Sequence, residues 1–82
     1  MAKLEDEADF YQFVALELGE SLSEITGEKQ FRSLNTWSSL NALYLITRIS
    51  EEKSIFITSS ELAKCSNFKD IHDLIIIKTS DI

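Results

Sequence analysis

Apolar residues fall into four stretches along the chain, each with its own spacing. Leu4, Phe10, Phe13, Val14 and Leu18 recur close to every third or fourth position and predict a first helix over residues 4–18. Gly19 is its natural stop. Residues 19–37 show no period and read as a long connection, with Leu22, Ile25, Phe31 and Leu34 expected to anchor it by burial. Leu40, Leu43 and Ile46, together with Ala42, Leu45 and Ile49, predict a second helix over 39–52, about 21 Å long. Its apolar face is wider than one stripe, so it is expected to pack against several neighbours. Ile55, Phe56 and Ile57 form either a short extended segment or a buried loop. Thr58 or Ser59, with Glu61 near the capping-box position, opens a short third helix ending near Cys65. Asn67 caps a fourth helix from Phe68 to about Ile77. Leu74 to Ile77 has strand propensity, but an isolated strand would have no partner, so helix is predicted there. Residues 78–82 are expected to fray.

Composition supports an all-α, single-domain chain. The 82 residues contain no proline and only two glycines, which favours helices over a turn-rich β architecture. The expectation is one domain over residues 1–82, with its core in about 4–77, folded as a small four-helix bundle with a long first loop and a short third helix. The N-terminus lacks the apolar core of a signal peptide, and no stretch is long enough to span a bilayer. Cys65 is the single cysteine, so no internal disulfide forms. A cytoplasmic monomer is expected.

Charge sharpens the picture. The net charge of −6 argues against nucleic acid as a partner. Residues 1–28 hold eight acids against Lys3, whereas residues 29–82 hold six acids and seven bases. The acidity therefore belongs to the first helix and its loop. Glu5, Asp6, Glu7 and Asp9 read as a solvated helix start, favoured by the helix dipole, rather than as a metal site.

Catalysis has little to work with. His72 is the only histidine and reads as an exposed surface residue between Ile71 and Asp73. Cys65 reads as a small buried residue. One His and one Cys make no zinc site, and there is no glycine-rich phosphate loop. Trp37 and Tyr44 suit the rim of the core. Ser38 and Ser39 stand where the chain enters the second helix. A serine there caps the helix through its oxygen. The same helix end carries partial positive charge and free N–H groups, and so favours a phosphate.

The tetrad Trp37-Ser38-Ser39-Leu40 resembles the Trp-Asp-Ser-Leu site found in one subgroup of acyl carrier proteins. Phe31-Arg32-Ser33-Leu34 resembles the Phe-x-x-Leu that leads into it. Glu51-Glu52-Lys53-Ser54 resembles the Glu-Glu-x-Gly that ends their second helix, with serine for glycine. Asn67 to Ile71 resembles the start of their last helix. The likeness covers roughly residues 7–77. It implies a four-helix carrier fold without enzyme activity. It also implies a 4'-phosphopantetheine arm, placed on Ser39 by a phosphopantetheinyl transferase. Acyl-loading and acyl-processing synthase enzymes, of fatty-acid, polyketide or other secondary-metabolite biosynthesis, then become partners. Partner contacts are expected at Trp37, Ser38, Leu40, Asn41, Tyr44, Ile55 and Ile57. Ser38 stands where the family has Asp, and the second helix lacks the family's row of acids. The alternative is an interaction module that keeps the fold without the arm.

Overall fold

Asp6 begins the first helix by leaving it: its backbone is extended, and its carboxylate accepts from the Asp9 N–H at 3.1 Å. In the computed structural model, which describes residues 4–80, helix α1 therefore spans Glu7–Leu18 and not residues 4–18. Leu4 is buried ahead of the helix as an anchor. Gly19 ends α1 in the left-handed region at φ 69°, and its N–H bonds back to the Ala15 carbonyl.

The long connection carries two single 3-10 turns, Leu22–Glu24 and Phe31–Ser33. Ile25, Phe31 and Leu34 are buried as expected. Leu22 is not: it stays 50% exposed, because its turn lies on the outer face of α1 beside Gln12, Ala15 and Leu16. The connection then returns to the start of the last helix. Phe68 N–H donates to the Lys29 carbonyl at 3.3 Å, and Lys69 N–H to the Gly27 carbonyl at 3.0 Å. Those donors belong to a helical first turn and would otherwise lack partners. Gly27 also passes close to α1, where an added Cβ would fall 2.6 Å from the Tyr11 hydroxyl.

Helix α2 spans Ser39–Lys53. Leu45, Ile46 and Ile49 are buried, while Leu40, Leu43 and Tyr44 are exposed. The wide apolar face is thus only half used, since α2 packs along one side against α1. Ser54 ends it at φ 55°, a left-handed cap that glycine adopts at lower cost. Residues 55–58 run without regular structure. Helix α3 is Ser59–Ala63, and Thr58 and Glu61 form the full capping box. Helix α4 is Phe68–Ser80, with the Asn67 side chain accepting from the Asp70 N–H at 2.9 Å.

Two expectations about α4 need correction. Residues 78–80 continue the helix, held by the Lys78–Glu61 ion pair at 2.7 Å and by the Thr79 hydroxyl donating to the Ile75 carbonyl; residues 81–82 lie outside those described. His72 is buried at 6% exposure rather than on the surface. It falls on the stripe of Phe68, Ile71 and Ile75, which faces the core. Its ring lies 5.4 Å from that of Phe10, and its Nε2 is 2.9 Å from the Glu5 carbonyl oxygen.

Phe10, Phe31 and Phe68 are fully buried and come from α1, the connection and α4. Burying each such side chain contributes roughly 1.5–3 kcal/mol. Three elements are therefore joined at one centre, and no strand is needed. Among the described residues there is none, only an isolated Gln30–Asn67 bridge.

Candidate functional site

The site is built around the entry to α2. Ser38 is extended at φ −154° and is the N-cap; its Oγ accepts from the Asn41 N–H at 3.1 Å. Ser39 is the first helical residue. It is exposed, and among the described residues its hydroxyl is in no hydrogen bond. The two neighbouring serines thus differ in kind: one oxygen is engaged by the backbone, the other is free.

The approach to these serines is held firmly. Asn41 Nδ2 donates to the Thr36 carbonyl, and the Thr36 hydroxyl donates to Glu20 at 2.6 Å. This chain of bonds fixes the turn before the helix against the loop after α1. Trp37 is half-buried and packs on Phe31, with ring centroids 4.5 Å apart. Arg32 lies over the ring of Phe31, its Cζ 4.6 Å from the centroid. Its Nη1 donates to the Cys65 carbonyl at 2.6 Å, and Nη2 reaches the Leu62 and Ala63 carbonyls at 3.4 Å each.

One open groove runs past this entry and a second lies further along α2. The first, about 440 Å³, runs past Ser39 and is lined by Arg32, Trp37, Ser38, Ala42, Ser59 and the end of α3. The second, about 510 Å³, lies between the body of α2 and residues 56–59. Ser59 borders both. The second groove has Leu43, Ile46, Phe56 and Ile57 on its walls and is mainly apolar.

The residues expected to meet partners divide by accessibility. Leu40 is 75% exposed, Tyr44 is exposed, and Trp37 and Asn41 are half-exposed. Ile55 is half-buried against the core. Ile57 is a core residue at 3% exposure, so its reach is limited to the groove wall. Phe56, between them, is the 75% exposed side chain of that segment, which sequence alone left unassigned. Arg32 was also missed, although it sits inside the Phe-x-x-Leu match; its carbonyl contacts lie 30 to 33 residues away in sequence.

Charge on α2 is organised by Arg48. It bonds Glu17 of α1 at 3.3 Å, Glu51 at 2.8 Å and Glu52 at 3.4 Å. Glu51 first, then Glu17, hold its guanidinium above the ordinary arginine range. The Glu17 carboxylate also raises the Tyr44 hydroxyl. Burial and the Asp70 charge push the Cys65 thiol up, which makes it a packing residue rather than a nucleophile.

The whole arrangement is similar to the solution NMR structure of a holo acyl carrier protein from Geobacter metallireducens. The TM-score is 0.78, over 99% of this chain and 90% of that one, at 22% sequence identity. The chain has the fold of an acyl carrier protein. No family model matches its sequence, and no curated protein matches it either. Within that fold, Ser39 stands at the start of the second helix and lines the first of the two grooves. No helix among the described residues is long and apolar enough to cross a membrane, and none of them group as metal ligands.

Proposed function

We propose that this protein is an acyl carrier protein and not an enzyme, with a 4'-phosphopantetheine arm attached to Ser39. The observation that carries this is the free, exposed Ser39 hydroxyl at the first position of α2 in a chain with the acyl-carrier fold. When bound, the arm supplies a terminal thiol on which acyl or aminoacyl groups are held as thioesters. The protein's own part is to present one hydroxyl without competition. Ser38 takes the capping bond, so Ser39 gives up none when it is modified. The first N–H groups of α2 lie beside Ser39, where an anionic group is favoured by about 0.3–1 kcal/mol. The open groove past Ala42 and Ser59 accommodates an extended chain. Partners are a phosphopantetheinyl transferase and synthase enzymes that load and process the acyl group. A tether of this kind raises the local concentration of its cargo at several active sites in turn.

The test is intact mass after incubation with coenzyme A and a broad-specificity phosphopantetheinyl transferase. One arm is expected on the wild-type protein and none on Ser39→Ala. If no arm forms under conditions that modify another carrier protein, even with Ser38→Asp, the protein is an unmodified interaction module instead.

A further inference from the structure

Four basic side chains among the described residues, Lys29, Arg48, Lys53 and Lys78, are paired with carboxylates. Arg32 is held differently. Its guanidinium is fixed by three backbone carbonyls, two at the end of α3 and that of Cys65 just beyond it, and by the face of Phe31. Carbonyls are neutral, so they orient the cation without cancelling it. Among the described residues it meets no carboxylate, in a chain carrying fourteen acids against eight bases. Three carbonyls use at most three of its five N–H donors, so at least two remain. Among the described residues it is also the one charged side chain on the groove that contains Ser39; the other lining residues are Trp37, three serines, Leu62 and two alanines.

An immobilised guanidinium with spare donors and uncancelled charge suits an anionic oxygen group entering that groove. Its side-chain entropy is already spent on the carbonyl contacts, so an incoming anion need not order it. Resting on the carrier reading of Ser39, we propose that Arg32 is a positioning residue for the phosphodiester of the arm. Arg32 donates to its non-bridging oxygens and so holds the arm along the groove toward Ser59. A carboxylate on the cargo offers similar chemistry from farther along the arm. The phosphodiester is favoured because it joins directly to Ser39 and is present whatever the cargo.

The experiment uses the full chain, apo and holo. Intact mass first establishes the arm on the wild-type protein. Side-chain Nε–H resonances of Arg32 and Arg48 are then compared between the two forms. The Arg32 signal is expected to move, while that of Arg48, bound to Glu17, stays. Loading the holo protein with acetyl or malonyl groups should leave the Arg32 signal at its holo position. Arg32→Gln should lower the melting temperature of both forms, because the carbonyl contacts are lost. It should also shrink the holo-minus-apo difference by about 2 °C or more, as expected for an interaction of about 0.5 kcal/mol. An arginine that only ties the first loop to α3 leaves that difference unchanged. A mass gain with an unmoved Arg32 signal overturns this inference alone. No mass gain overturns the carrier reading and this inference with it. A signal that moves only in the malonyl form assigns Arg32 to cargo and overturns the phosphodiester contact. If Arg32→Gln fails to fold, the wild-type resonances still decide.

Discussion

Ser38 and Ser39 are adjacent, alike in chemistry and opposite in their expected mutational effects. Ser38 Oγ accepts from the Asn41 N–H at 3.1 Å, and Ser38→Ala removes that bond. Loss of an N-cap costs about 0.5–2 kcal/mol. The lower half applies here, because the site is exposed and water reaches the freed N–H. Asn41 also keeps its own bond to the Thr36 carbonyl, so the turn does not come apart. About 0.5–1 kcal/mol corresponds to a fall in melting temperature of roughly 2–8 °C for a domain of this size. Ser39→Ala removes a hydroxyl that bonds to nothing among the described residues, at a helical position where alanine is the better helix former. Its effect on stability should stay within about 0.5 kcal/mol. Ser38→Asp keeps the cap and adds a negative charge at the helix start, which stabilises by about 0.3–1 kcal/mol.

The assay is a thermal melt of the three variants beside intact-mass analysis after the transferase reaction. Ser38→Ala should melt lower and still gain the arm. Ser39→Ala should melt like wild type and gain nothing. Ser38→Asp should melt higher and gain the arm at least as fast. The reasoning fails if Ser38→Ala melts with wild type, or if the arm follows Ser38 rather than Ser39.

Other consequences are equally direct. Ser54→Gly removes a side chain from a left-handed cap and should stabilise by about 1 kcal/mol; an unchanged urea midpoint would contradict the strain assigned to φ 55°. Leu40→Ala and Phe56→Ala remove exposed apolar groups and should alter stability by less than about 0.5 kcal/mol, yet weaken binding to a loading enzyme about five-fold or more; equal affinity by calorimetry would show that partners dock elsewhere. Lys78, then the Thr58 N–H, lowers the Glu61 pKa from the ordinary 4.5, so its contribution is present above that pH and lost as pH falls through the folded value. Glu61→Gln should flatten the fall in stability below about pH 4.5, and parallel acid limbs for wild type and variant would refute the assignment.

Much of the fold is legible because short-range rules set it. Thr58 and Glu61 are three residues apart, and their capping box forms as the spacing predicts. Gly19 and Asn67 end and begin helices for equally local reasons. What escapes the sequence depends on which half of a pattern meets a neighbour. The apolar face of α2 predicts packing against several neighbours, but α1 covers only one side, so Leu40 and Leu43 remain exposed. His72 looks polar by type and by its neighbour Asp73. Its spacing from Phe68 and Ile75 nevertheless puts it on the buried stripe, and periodicity was the better guide. For the candidate site, the free serine at a helix start is readable from residues 37–40. Arg32 is not, because its three carbonyl partners come from the end of α3 and the turn after it, about thirty residues on.

The charge distribution then constrains how a partner recognises the site. Acids dominate residues 1–28, yet two that reach α2 are paired there, Glu17 with Arg48 and Glu5 with Lys53, and Glu20 receives the Thr36 hydroxyl. The two acids of α2, Glu51 and Glu52, meet the same Arg48. From Ser39 to Ser50 the helix carries no acid at all. The large side chains it exposes there are Leu40, Leu43 and Tyr44, with Phe56 beyond them across the apolar groove. Arg32 adds an uncancelled positive charge on the other side of Ser39. An enzyme that reads an acidic helix with a basic patch would find few unpaired carboxylates along α2 and would meet repulsion near Arg32. If the proposed carrier role holds, the expected partner enzyme has an apolar footprint over α2 and its basic groups toward α1. Binding through that face should depend weakly on salt, since apolar burial is not screened and exposed charge pairs are.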